Sequence, residues 1–297
     1  MKAVVYERYG PPEVLELRDI PKPVPKPNEV LVKVRATTVT AGDWRMRSAK
    51  PFLARLFNGL FKPTRVKVLG FEVSGVIEEV GSDVTRFKVG DEVFAGCGFQ
   101  FGGYAEYKCL PVNDMIAHKP SNVTFEEAAA VPVGGLTALR LFDQTGLKAS
   151  DSVLIYGASG SVGTYAIQIA RDKGAEVTAV CSTANAGLVR SLGADHVVDY
   201  TKEDVTKLEA RYDVIIDAVG KISKSAGKKL LKPGGNYATV ASSTKAAPNE
   251  MLTLKTMMEA GTLKAVIDRR YTLEQIREAH AYVESFRKKG NVVVNVS

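Results

Sequence analysis

The stretch LIYGASGSVGTYAIQIARDKGAEVTAVCST, from Leu154 to Thr183, decides the fold. It opens inside the apolar run VLIYG, which begins at Val153, reaches Gly157, Gly160 and Gly163 at once, and then carries apolar residues at helical spacing from Ser161 to about Lys173. A second strand, EVTAVCS, follows. Strand, glycine turn, helix and strand make a βαβ unit, whose two strands lie parallel with the helix on one face. The alternation continues downstream through HVVDY, DVIIDAVG and NYATVAS, with helices expected to begin near Asn185 and Ser223. An α/β, doubly wound parallel sheet is therefore expected for this part of the chain.

The glycines carry chemistry as well as geometry. Without side chains they let the backbone approach a pyrophosphate, and the unpaired N–H groups and positive dipole end of the next helix attract its charge. Ser159, Gly160, Ser161, Val162 and Gly163 are the expected contacts, with hydroxyls from the two serines; the plain alternative is a tight turn with no ligand. The end of the second strand selects the dinucleotide, because an acid there binds the 2′-hydroxyl of NAD and repels a 2′-phosphate. Cys181, Ser182 and Thr183 stand at that point, so NADPH is expected, with Ser182 and Thr183 as donors and Arg190, Tyr200 or Lys202 completing the phosphate site.

Working outward, Met1 to about Asn122 holds short strand-like runs (KAVVYE, EVLVKVRATTV, VSGVIEEVG, DEVFAG, YAEYKCL) broken by Pro and Gly, as in an antiparallel barrel-like domain. VTFEEAAAVPVGGLTALRLFD reads as helix. After Ser243 only TKAAPNE precedes the helix-like MLTLKTMMEAG, so the parallel sheet is expected to lack one edge strand. KAVIDRRYTLEQIREAHAYVESF then gives a strand and an amphipathic helix, and GNVVVNV a closing strand.

A chain of 297 residues with 45% hydrophobic and 25% charged residues is long enough for two globular domains. No run approaches the roughly 18 apolar residues of a membrane span, and the first residues lack a secretion signal. Cys97, Cys109 and Cys181 are far apart, which suits a reducing compartment, and a cytoplasmic, soluble protein is expected. The net charge of +7 is read as a solvated face rather than a nucleic-acid footprint, the triplet Arg287, Lys288 and Lys289 being its densest cluster. The apolar, basic stretch RSAKPFLARLFNGLFKPTR (47–65) reads as a mobile lid or channel wall, with an amphipathic membrane contact as the alternative.

Taken together, GFEVSGVIEEVG, VGDEVFA, GGYAEY, AAAVPVGGLTAL, GASGSVGTYAIQIA, SLGADHVVDY, DVIIDAVG and LLKPGG resemble the medium-chain dehydrogenase/reductase superfamily, in its zinc-free quinone oxidoreductase branch, over nearly the whole chain. The resemblance implies a GroES-like catalytic domain from residues 1–122 and 264–297, and a Rossmann dinucleotide-binding domain from 123–263. Zinc enzymes of this superfamily place a metal-binding His where this chain has Phe71, and ATTVTAGDW, where their first cysteine ligand falls, has none. His118, His196 and His280 lack ligand spacing, so no metal is expected.

By the same resemblance Thr40, Asp43, Trp44, Arg45 and Arg47 line the nicotinamide end of the site, with Thr40, Asp43, Arg47 and Tyr104 as the catalytic candidates and Arg45 beside the cofactor. Thr40 or Asp43 reads equally well as the cap of a helix near Trp44, and Tyr104 as packing. Thr137, Ala218, Val219, Val240, Ala241, Ser242 and Asn291 complete the implied cofactor contacts. Without a Lewis acid to hold a localised alkoxide, the expected acceptor of hydride from NADPH is a quinone or an α,β-unsaturated carbonyl, which delocalises the incoming charge. An alkenal or enone double-bond reductase with little quinone activity, and an NADPH-binding sensor without turnover, are the alternatives. The sixth strand of this superfamily commonly joins dimers, so its loss predicts a monomer or another interface; no nucleic acid and no membrane partner are expected.

Overall fold

The computed structural model describes residues 1–113, 115–242 and 249–296. They form two compact units, one of residues 1–133, 251–259 and 267–297, the other of 134–250 and 260–266.

In the first unit Val30, Val32 and Val34 alternate along the strand Glu29–Thr38 and share one face with Val73, Ile77, Val93, Leu110 and Ile116, all buried. This strand is the hub. It pairs antiparallel with Glu72–Val80, Tyr107–Pro111 and Asn291–Asn295, and the sheet runs on through Glu92–Gly96 to Ile116–His118. At the other edge Ile267–Thr272 joins Asn291–Asn295 in parallel. Opposite Val34 stands Gly75, where a Cβ would lie 2.1 Å from the Lys33 carbonyl; only glycine lets the two strands close there. Two strands escaped the sequence pattern, Glu16–Asp19, paired with Lys2–Val5, and Ile116–His118, because each is short and half exposed or poorly alternating.

The helical stretch expected from Val123 onward is two helices, Phe125–Ala130 and Pro132–Thr145. The first starts at a capping box between Thr124 and Glu127 and packs on Glu29–Thr38 and Glu72–Val80. The unit division therefore falls after Val133, beyond the position near Asn122 that composition suggests.

The second unit is a five-stranded parallel sheet among the described residues, in the order His196–Asp199, Glu176–Cys181, Ser152–Tyr156, Tyr212–Asp217, Leu231–Thr239. Glu176–Cys181 and Ser152–Tyr156 are buried along most of their length, as parallel strands covered on both faces must be. Strand order reverses between Ser152–Tyr156 and Tyr212–Asp217, and ligands of such sheets bind at the carboxyl ends beside that reversal. The missing edge strand was inferred from TKAAPNE, residues 244–250, of which 244–248 lie outside the described residues.

Candidate nucleotide and catalytic sites

Ser152–Tyr156 ends in Gly157 at φ +76°, a left-handed turn that glycine adopts freely. The helix Ser161–Asp172 begins immediately after Gly160, which caps it with extended backbone and no side-chain hydrogen bond. Each glycine has its own reason. A Cβ on Gly157 would sit 2.6 Å from Val219 Cγ1, and one on Gly163 would sit 2.3 Å from the Gly157 carbonyl oxygen and 2.6 Å from Ala158 Cα. At Gly160 the nearest atom is 3.4 Å away, so that face of the loop is open. A tight turn, close helix packing and an open face over an uncapped helix N-terminus are the three properties a pyrophosphate cradle requires.

Around the cradle, Asn185 joins two predicted contacts: its Nδ2 donates to Ser159 Oγ at 3.0 Å and to Ser182 Oγ at 3.3 Å. Its Oδ1 is buried without a partner among the described residues, the state of an acceptor whose donor belongs to a ligand or solvent. Thr183, which is exposed, donates its hydroxyl to Asp199, whose other oxygen accepts from Thr201 N at 3.0 Å and Oγ1 at 2.6 Å. These bonds, aided by Lys202 at 3.8 Å, lower the Asp199 carboxyl to about 2. Tyr200 is half exposed, its ring 6.4 Å from that of Tyr156. Both tyrosines line a pocket of about 600 Å³ with Lys202, Lys221 and Ser223. Arg190 is exposed.

On the far side of the reversal, Asp217 is fully buried and accepts from the N–H groups of Val219, Gly220 and Ile222 at 3.1, 2.8 and 2.8 Å. It shapes the loop that holds Ala218 and Val219, while Val240 N donates to its carbonyl at 3.1 Å. Ala241 and Ser242 are exposed beyond it, and Ser242 Oγ donates to Thr239 O at 2.6 Å. Thr137 is half-buried in the helix Pro132–Thr145. Neither Asn185, Asp199 nor Asp217 was singled out from sequence; an Asn just after the second strand and an Asp closing the fourth were the available signals.

The catalytic candidates lie in the first unit. Thr40 caps the helix Ala41–Ser48 in a reciprocal box with Asp43: Thr40 N donates to Asp43 Oδ2 at 2.8 Å and Asp43 N to Thr40 Oγ1 at 3.4 Å. Capping is only part of what they do. Thr40 Oγ1 also donates to Asp43 Oδ2 at 2.7 Å, Gly70 N donates to Oδ1 at 2.8 Å, and the Tyr104 hydroxyl bonds the same buried carboxyl. Burial outweighs these bonds and raises Asp43 to about 6. Tyr104 in turn meets His280 Nε2 at 3.2 Å with the rings edge to face, and burial holds His280 neutral.

Arg47 is completely buried and ion-paired with Glu284, so its guanidinium faces the core of this unit rather than solvent. Its Nε and Nη1, with His280 Nδ1, have no partner among the described residues. Trp44 packs edge-on against Phe286, while Arg45 is exposed over the Trp44 ring. Asn291 is buried at the start of its strand.

Phe71, at the position of a metal-binding His in the zinc enzymes, packs on Phe101 and against Gly42, where a Cβ would come within 2.4 Å of its ring. Beside it Glu72 is buried and was missed from sequence: it accepts from the Thr38 hydroxyl and from Val133 N at 2.6 Å, and burial raises it to about 7. Lys288, expected on a solvated face, is half-buried instead: it donates to Gly290 O, and burial lowers it to about 8. Among the described residues no three His, Cys, Asp or Glu side chains are grouped as a metal would need.

Residues 26–121 match the alcohol dehydrogenase GroES-like domain, and residues 161–293 the zinc-binding dehydrogenase family. The chain is 34% identical over 315 residues to a chloroplastic NADPH-dependent alkenal/one oxidoreductase of Arabidopsis thaliana, covering 99% of this chain and 79% of that protein. It is 33% identical over 331 residues to a chloroplastic quinone oxidoreductase of Triphysaria versicolor, covering 99% and 98%. The solved quinone oxidoreductase of Coxiella burnetii superposes with a TM-score of 0.86 at 30% identity, covering 100% and 99%.

Proposed function

Because the chain belongs to the medium-chain dehydrogenase/reductase superfamily, in its quinone-oxidoreductase-like branch, we propose that it is an NADPH-dependent, zinc-independent reductase of quinones or α,β-unsaturated carbonyls. The observation that carries this reading is the open glycine cradle together with a second strand that ends at Cys181 and is followed by Ser182 and Thr183 rather than an acid. Bound there, NADPH supplies a hydride from its nicotinamide ring.

The first N–H groups of the helix Ser161–Asp172 hold the pyrophosphate, and Asn185 keeps Ser159 and Ser182 in register to receive the adjoining ribose. Asp199 is the acid that Thr183 contacts, and Thr183, Thr201 and Lys202 occupy its oxygens, while Glu203 and Asp204 line the neighbouring pocket with Tyr200 and Lys202. Lys202 and the exposed Arg190 favour a 2′-phosphate. Tyr200, Ala218, Val219, Val240, Ala241 and Ser242 border the remaining cofactor contacts, with Thr137, Arg45 and Asn291 assigned by resemblance.

Hydride arriving on a quinone or on the β-carbon of an enone leaves a phenolate or enolate, and a proton from water or a hydroxyl completes the reduction. Thr40 is the half-buried hydroxyl at the end of the Asp43–Tyr104–His280 row, and Asp43, raised towards neutrality, exchanges a proton with it near pH 6. Arg47, buried and paired with Glu284, places its positive charge near Tyr104 and His280 of this row. Where the zinc enzymes have a His ligand, Phe71 offers none. A cytoplasmic enzyme that is a monomer, or that associates through an interface other than the usual family dimer, is the matching cellular reading, its cysteines all free.

The test is NADPH consumption with a chelator present, offering a quinone, an enone and a simple ketone in turn. Turnover with either of the first two and not the third supports the proposal and fixes the acceptor class. NADPH binding without turnover on any of them replaces it with a sensor.

A further inference from the structure

The chain carries a net charge of +7, and all of it resides between Asp43 and Glu72. That segment holds seven Lys and Arg and no acid; the rest of the chain balances. Of the seven, Arg47 is the one ion-paired with a described residue. Lys50, Lys62, Arg65 and Lys67 are exposed.

The same segment exposes its apolar side chains. Phe52, Leu53, Leu56, Leu60 and Phe61 are 62, 68, 66, 46 and 86% accessible, on and around the short helix Leu53–Asn58. Phe99, 73% accessible, extends the patch by packing its ring 5.7 Å from that of Phe57. Arg55 and Arg65 lie over the rings of Tyr9 and Phe57, so the cations border the apolar side chains instead of facing away. The helix is anchored from below: Asn58 is fully buried and tied to Tyr6 Oη at 2.7 Å and to Val66 N at 2.6 Å. Scattered apolar residues are ordinary on a surface, but five large ones exposed within ten positions, with Phe99 beside them, are not.

We propose that this surface docks on an anionic lipid bilayer, with Phe52, Leu53, Leu56 and Phe61 entering the interface and the flanking Lys and Arg meeting lipid phosphates. Apolar side chains rimmed by basic ones are the chemistry that recognises such a surface, and neither half alone supplies stable binding. Two copies of the chain would bring two acid-free basic segments together, which opposes self-association through this face. A nucleic acid would meet the cations but leave the Phe and Leu side chains against phosphate.

Flotation of the full chain with phosphatidylcholine vesicles, with and without phosphatidylglycerol, tests this without reference to turnover. The chain should float only with the anionic vesicles and be released by salt. Lys50→Gln and Lys62→Gln should each lower partitioning about fivefold. The double variant Leu56→Ala, Phe61→Ala should lower it about tenfold or more. Phe61→Trp should retain binding and shift its emission to the blue on vesicles. Equal flotation with neutral and anionic vesicles overturns the proposal, as does flotation indifferent to Leu56 and Phe61. A concentration-dependent dimer abolished by these same substitutions assigns the patch to a second copy instead.

Discussion

Gly160→Ala and Gly163→Ala, three residues apart in one loop, should fail in opposite ways. At Gly160 φ is −81° and the new Cβ meets nothing nearer than 3.4 Å, so the protein tolerates the methyl group. Reduced freedom of the unfolded chain contributes about 0.4–1 kcal/mol, and loss of glycine's advantage as a helix cap offsets a similar amount. Stability should therefore change by less than about 1 kcal/mol. The methyl group, however, occupies the open face where a pyrophosphate must approach the backbone. Displacing one charge-assisted hydrogen bond costs about 1.5–3 kcal/mol, or roughly 10- to 100-fold in affinity for NADPH.

At Gly163 the Cβ would overlap the backbone of Gly157 and Ala158, so helix and strand must separate. Overpacking of this kind costs about 1–3 kcal/mol, a fall in melting temperature of roughly 2–10 °C. Isothermal titration with NADPH alongside thermal unfolding separates the two. A Gly160→Ala protein that melts normally and binds NADPH as wild type does refutes the placement of the cofactor on this loop.

Three further outcomes follow from the site. Glu72 is raised from the ordinary glutamate range to about 7, so the folded state keeps a proton that the unfolded chain has released, and its charging costs stability as pH rises through that window. Glu72→Gln should accordingly gain on wild type between about pH 4.5 and 7, by on the order of 3 kcal/mol, and level off above; a melting difference independent of pH removes the assignment. Replacing Arg190 and Lys202 together with Ala should raise the KM for NADPH about tenfold or more while sparing NADH, and equal losses for both cofactors would place the 2′-phosphate elsewhere. Exhaustive chelation should leave turnover unchanged, since Phe71 replaces the ligand histidine; activity lost to chelation and restored by zinc would contradict the metal-independent reading.

Much of this was legible in the sequence because it rests on periodicity and on glycine. The five parallel strands, the helix after Gly160 and the hub strand Glu29–Thr38 all follow from patterns a few residues long. Single polar residues were not legible, because their roles depend on partners distant in the chain. Glu72 meets Val133, and Asn185 spans Ser159 and Ser182. Thr40 illustrates the overlap, its capping and its place in the buried row being one geometry. The basic segment was legible in part: residues 47–65 read as apolar and basic together, but which of those side chains are exposed and which, like Asn58 and Arg47, are buried depends on distant partners such as Tyr6 and Glu284.

Hydride transfer is reported directly by deuterium. With NADPH deuterated at the transferred position of nicotinamide C4 and an enone as acceptor, the saturated product should carry one deuterium at its β-carbon and none at the α-carbon, whose hydrogen comes from solvent. NADPH consumed with no deuterium in the product would contradict the account.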